Sequence, residues 1–181
     1  MAYPFSVADV RFLRSAAGDD ALSVAAGLPL TDSTLIRDLT RLRARLGERA
    51  PAVVEPVRLR RKATEKLGAR AGRWLLTDEA LQQATPAPVA AHRARRLSHV
   101  AMHDLTCSIG ADLAAMADAA AAGSFRMPLG SDLDPVRALM AVHNVSVSGL
   151  GGVVVVVADA LTRVSRCLLG YADPSRRAGS A

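Results

Sequence analysis

The 181-residue chain is poor in aromatic residues (3%), has two cysteines, and lacks any long hydrophobic run. Its longest strongly apolar stretch is VVVVV at 153–157. A bilayer-spanning helix needs roughly 18–20 such residues, so no membrane segment is expected. Cys107 and Cys167 lie in apolar segments without metal-ligand spacing and are expected to be free thiols in a reducing, cytoplasmic setting. His92, His99, His103 and His143 form no ligand pattern either, so no metal site is expected. The chain carries neither GxGxxG nor a GK[ST] phosphate loop, which disfavours a dinucleotide fold and a P-loop enzyme. Its first 20 residues contain acids and no apolar h-region, so no secretory signal is expected.

What is present divides by charge. Residues 1–97 hold 17 Lys/Arg against 10 Asp/Glu, a net +7, whereas residues 98–181 hold 6 against 7, a net −1. The basic excess is confined to the first half, where it could be a set of solvated helix faces or the positive field that a phosphate backbone would need. That half has helical grammar. Ser6 with Asp9 three residues on suggests a capped start, and Leu35, Leu39, Leu42 and Leu46 recur at helical spacing before Gly47. After a stretch broken by prolines, VRLRRKATEKLGARAGRWLL predicts a third and most basic helix. TDEALQQATPAPVAAHRARRL adds a further helical segment capped by Thr77 and interrupted at Pro86 and Pro88. A helical, basic N-terminal region over 1–97 is therefore expected to precede a different unit over 98–181.

From residue 98 short apolar runs alternate with helices, which predicts a parallel α/β sheet. The runs end in Asp104, Asp132, Asp159 and Asp173. Any one of these acids could cap the next helix, but ligands of open α/β sheets bind along the carboxyl ends of the strands. Asp134–Pro135 gives a cap followed by proline at the first helical position. Pro128 is compatible with the second run only at its start.

These residues carry a family resemblance. DLTCSIGADL, PLGSDLDPVRALMAVHN, VVADALTRVSR and ADPSRR, in that order, resemble a class I S-adenosylmethionine-dependent methyltransferase. RLRRKATEKLG, TDEALQQAT and VAAHRARRL resemble the leader of the actinobacterial group whose core is followed by a THUMP-like domain. The resemblance implies S-adenosyl-L-methionine as cofactor and a Rossmann-like sheet of strand order 3-2-1-4. It assigns Asp104, Thr106, Ser108 and Gly110 to the cofactor loop, Asp132 to the ribose hydroxyls, Leu133 to the adenine face and Asp159 to the adenine amino group. Asp173 and Pro174 fall where such enzymes orient an acceptor amine, and Arg176 and Arg177 could hold a substrate phosphate. An RNA partner for the basic helices fits the same picture.

Departures from the family pattern set further expectations. Thr106 and Ser108 stand where glycines are usual, and a Cβ at positive φ costs on the order of 1 kcal/mol. Ser108 is the position expected to feel this most. The chain ends 8 residues past Asp173, so the core is expected to be truncated. Strand 4 would then be an uncovered edge open to self-association. The alternative to an active methyltransferase is a non-enzymatic pseudoenzyme or RNA- or protein-binding module.

Overall fold

The computed structural model describes residues 3–97, 99–123 and 125–174. Helix α1 (Val7–Leu13) opens on a complete capping box: Ser6 Oγ accepts from the Asp9 N–H, and Asp9 Oδ2 accepts from the Ser6 N–H. Helix α2 (Ala16–Ala26) is capped by Ser15 and crosses α1 at Gly18, where a Cβ would stand 2.1 Å from the Phe12 carbonyl oxygen. Helix α3 (Leu35–Leu46) follows, then α4 (Ala50–Leu67).

Helix α4 corrects the sequence reading. The prolines were expected to precede the helix, yet Pro51 sits in its first turn and Pro56 lies inside it. An interior proline costs about 3 kcal/mol. Here Val53, Val54, Pro56 and Val57 are all buried, and their contribution to the core offsets that cost. Helix α4 also uses its charges internally. Arg61 donates to the carbonyls of Leu28 (2.7 Å) and Pro29 just past α2, and Lys66 donates to those of Leu81 (2.8 Å) and Gln82 (2.7 Å). Arg60 donates to the Arg73 and Trp74 carbonyls. Much of the basic motif thus satisfies chain ends that helices leave open.

Helices α5 (Asp78–Gln83) and α6 (Ala87–Leu97) lead into the sheet. Strand β1 (Met102–Asp104) is followed by α7 (Ala111–Ala122), β2 (Leu129–Asp132), α8 (Pro135–Val147), β3 (Val154–Val157) and β4 (Leu169–Tyr171). The strands run parallel in the order β3-β2-β1-β4, the expected Rossmann-like arrangement. Strand β2 begins immediately after Pro128, so the proline removes no ladder donor. In β1, His103 faces away from α7 and is satisfied on both ring nitrogens, with Ser131 Oγ at 2.9 Å from Nε2 and Ser165 Oγ at 3.1 Å from Nδ1. Its burial lowers its pKa below the ordinary histidine value.

One continuous apolar cluster joins the early helices to the sheet's helices, including Val10, Leu13, Val53 and Leu75 with Leu113, Met140 and Val145. Asn144 of α8 is fully buried at this seam. Its Oδ1 accepts from the Leu75 N–H (2.7 Å), and its Nδ2 donates to the carbonyls of Leu75 and Ile109, both at 2.9 Å. Nearby, the buried Trp74 donates its indole N–H to Ser148 Oγ at 3.0 Å.

Candidate functional site

The loop between β1 and α7 is folded by its own amides and by β2. The Thr106 N–H donates to Asp104 Oδ1 (3.2 Å), Cys107 N–H to the Ser131 carbonyl (2.8 Å), and Ser108 N–H to Asp132 Oδ2 (2.9 Å). Gly110 is left-handed at φ 84° and caps α7, where a Cβ would lie 3.2 Å from the Ala141 Cβ. Among the described residues, Leu30 and Ser108 are the non-glycine residues at positive φ, both at 49°. The strain expected in this loop therefore falls on Ser108. Thr106 avoids it, and its side chain does something glycine could not: Oγ1 accepts from the Asp173 N–H at 2.9 Å. Gly130 of β2 is a glycine the sequence reading passed over. A Cβ there would stand 2.6 Å from Leu113 Cδ2 and 3.2 Å from Cys107 Sγ, so these buried side chains would have to shift to admit one.

Along the carboxyl ends of the strands runs a cleft of about 710 Å³. Asp104, Asp132, Asp159 and Asp173 all line it, with Thr106, Ser108, Leu133 and Pro174; Gly110 stands behind the wall as the helix cap. Arg176 and Arg177 lie outside the described residues. Asp112 from the first turn of α7 adds a fifth acid, against Arg137 as the one lining cation among the described residues. Gln83 at the end of α5, with Ala84 and Thr85 just after it, forms a further wall. Arg137 braces that wall, pairing with Glu79 Oε2 at 2.9 Å. Sequence reasoning found none of Asp112, Arg137 or the 83–85 wall, because each enters through a tertiary approach without a local motif.

The acids differ in state. Burial pushes the Asp104 carboxyl up to about 7; the Thr106 amide opposes this, and Asp112, Asp132 and Asp173 reinforce it. Asp132 is half-buried, and each oxygen accepts one backbone N–H, from Ser108 and from Asp134 (both 2.9 Å). Each oxygen therefore keeps a lone pair for a ligand. Asp159 is exposed and accepts from the Leu161 N–H at 2.8 Å. Leu133 is 69% exposed beside Asp132, an apolar shelf at the rim. Burial and the neighbouring acids raise the Cys107 thiol well above its ordinary range, so this cysteine supplies no thiolate. No cluster of metal-ligating side chains occurs among the described residues, and no described helix is long and apolar enough to cross a membrane.

Residues 6–63 match a family described as a Domain of unknown function (DUF8688). Two proteins from two strains of Mycobacterium tuberculosis, each named an uncharacterized S-adenosylmethionine-dependent methyltransferase, are 49% identical to the chain over 141 residues. The match covers 75% of the chain. It spans only 38% of either relative. The similarity supports the methyltransferase class that the sequence motifs resemble, and the parallel strand order β3-β2-β1-β4 is consistent with a Rossmann-like methyltransferase fold.

Proposed function

We propose that the cleft binds S-adenosyl-L-methionine and serves methyl transfer to an amine-type acceptor. The observation that carries this reading is the convergence of Asp104, Asp132, Asp159 and Asp173 on one cleft at the strand ends. Its volume falls in the range of about 300–1,000 Å³ usual for small-molecule sites. The donor set fits the cofactor: a carboxylate with open lone pairs for paired hydroxyls at Asp132, an apolar shelf at Leu133 and an exposed acceptor at Asp159. Among the described residues, five lining aspartates outnumber Arg137 in the lining and Arg93, which pairs with Asp112 and Asp173, an acid excess that suits a ligand whose reactive centre is a cation. When bound, the cofactor supplies a methyl group already activated on a sulfonium, so the protein's task is alignment more than strong acid or base catalysis. Asp173, at the end of β4 with Pro174 beside it, would accept a hydrogen bond from the acceptor's N–H and turn its lone pair toward the cleft.

Isothermal titration with S-adenosylmethionine tests the reading. Asp132→Ala should weaken binding at least tenfold, as expected for lost charge-assisted hydrogen bonds of ~1.5–3 kcal/mol. No heat at millimolar ligand with a folded sample, or unchanged affinity in the variant, refutes it. An RNA acceptor, a cytoplasmic location and kinship with the THUMP-like group belong to the same proposal. The RNA reading is supported by α3, which exposes Arg37, Arg41, Arg43 and Arg45. It predicts RNA binding that weakens steeply with salt.

A further inference from the structure

Asp173 is held from three directions. Its N–H donates to Thr106 Oγ1 at 2.9 Å, and its Oδ2 accepts from the Tyr171 hydroxyl at 3.2 Å and from Arg93 Nη1 at 3.4 Å. Arg93 belongs to α6, 80 positions earlier in the chain. The same Nη1 donates to Asp112 Oδ1 at 2.9 Å and to the Tyr171 hydroxyl, and the guanidinium carbon lies 5.1 Å from the Tyr171 ring centroid. One planar cation thus joins α6, the first turn of α7, β4 and the segment after it. It also separates two carboxylates that line the same cleft and would otherwise repel each other. The Asp173 side chain is 57% exposed, so without these contacts it would sample several rotamers.

We infer that Arg93 is a positioning residue: it fixes the Asp173 carboxylate in one orientation on the cleft wall, leaving its remaining lone pairs to receive an N–H in the cleft. The role rests on the methyl-transfer reading for its purpose, but the restraint itself does not. A lysine keeps the charge that Nη1 brings to both acids, but lacks the flat guanidinium that lies over the Tyr171 ring. A simple surface ion pair would have no such geometric demand.

The test uses two ligands and one ligand-free measurement on the full chain. Sinefungin carries an amine where S-adenosylmethionine carries the transferable methyl, and S-adenosylhomocysteine carries nothing there. The wild-type protein should prefer sinefungin by about tenfold, the size of one charge-assisted hydrogen bond. Arg93→Gln should reduce that preference to about twofold while S-adenosylhomocysteine binds as before, and Arg93→Lys should restore part of it. In an Asp173→Asn background, Arg93→Gln should have no further effect on the preference. Without ligand, Arg93→Gln should speed amide exchange at Asp173 and leave α7 beyond its first turn unchanged. A preference that survives Arg93→Gln, or faster exchange throughout α7, overturns the inference. Failure of the wild-type protein to bind either ligand refutes the cofactor reading alone. The exchange of Asp173 then decides whether Arg93 restrains it, and an unchanged rate overturns that too.

Discussion

Replacing Asp104 with asparagine should stabilise the protein, and increasingly so as the pH rises. Asp104 is 1% exposed at the end of β1, with a carboxyl pKa raised to about 7 by burial. In the unfolded chain the same group titrates near 3.9. An acid whose folded pKa is raised favours the native state only while protonated. Its stability contribution is whole below the unfolded value and is lost as pH climbs through the folded one. Linkage between pKa values near 4 and 7 gives a further loss of about 2.5 kcal/mol between pH 5 and pH 8. Asparagine keeps an oxygen for the Thr106 N–H and has no proton to lose. The gap in unfolding free energy between Asp104→Asn and wild type should therefore widen by about 2.5 kcal/mol over that range, roughly a 1 M shift in urea midpoint. Burial lowers the pKa values of His103 and His143, which contribute the opposite slope, but both proteins carry them and the difference cancels. Asp38 is held below the carboxylate range, chiefly by its hydrogen bond with Thr34, so its contribution is lost only in stronger acid. A constant gap from pH 5 to pH 8 would show that Asp104 is not protonated in the native cleft, and the reasoning fails. The same proton makes a second demand: a cationic ligand should bind more tightly as pH rises through 7, because Asp104 must ionise to face it.

Two further perturbations probe the frame of the site. Asn144→Leu strips partners from the Leu75 N–H and from the Leu75 and Ile109 carbonyls, at about 1–3 kcal/mol for each group left unsatisfied. A loss of about 3 kcal/mol or more in urea unfolding is expected, and a loss below 1 kcal/mol would contradict the seam's role. At Ser108, glycine relieves about 1–2 kcal/mol of left-handed strain. It gives back about 0.4–1 kcal/mol of unfolded-chain entropy. Ser108→Gly should consequently not lower the thermal midpoint, whereas Ser108→Val should lower it by several degrees; the reverse order would refute the strain assignment.

The residues legible in the sequence were those with local signatures. Asp104, Asp132, Asp159 and Asp173 each follow a short apolar run, and Asp134–Pro135 marks a helix start, so their order along the sheet edge could be read directly. Arg93 and Tyr171 could not be found this way. They meet across 78 positions, and an arginine in a basic helix looks the same whether it faces water or clamps a distant carboxylate. The charge balance misled for the same reason. It leaves Arg60, Arg61 and Lys66 either on solvated helix faces or in a positive field, while the fold directs them onto carbonyl groups up to 35 positions away. The prolines before VRLRR look like a break in the sequence because local propensity takes no account of the burial that decides the outcome for Pro56.

The bond from Trp74 to Ser148 has a practical consequence. The chain has a single tryptophan, so its intrinsic emission arises from one indole, buried where the segment after α4 meets the C-terminal end of α8. Undocking of that seam should shift the emission to the red and lower its intensity. Every unfolding curve, ligand titration or variant described above can thus be followed by fluorescence without attaching a label, through a reporter placed where the early helices join the sheet.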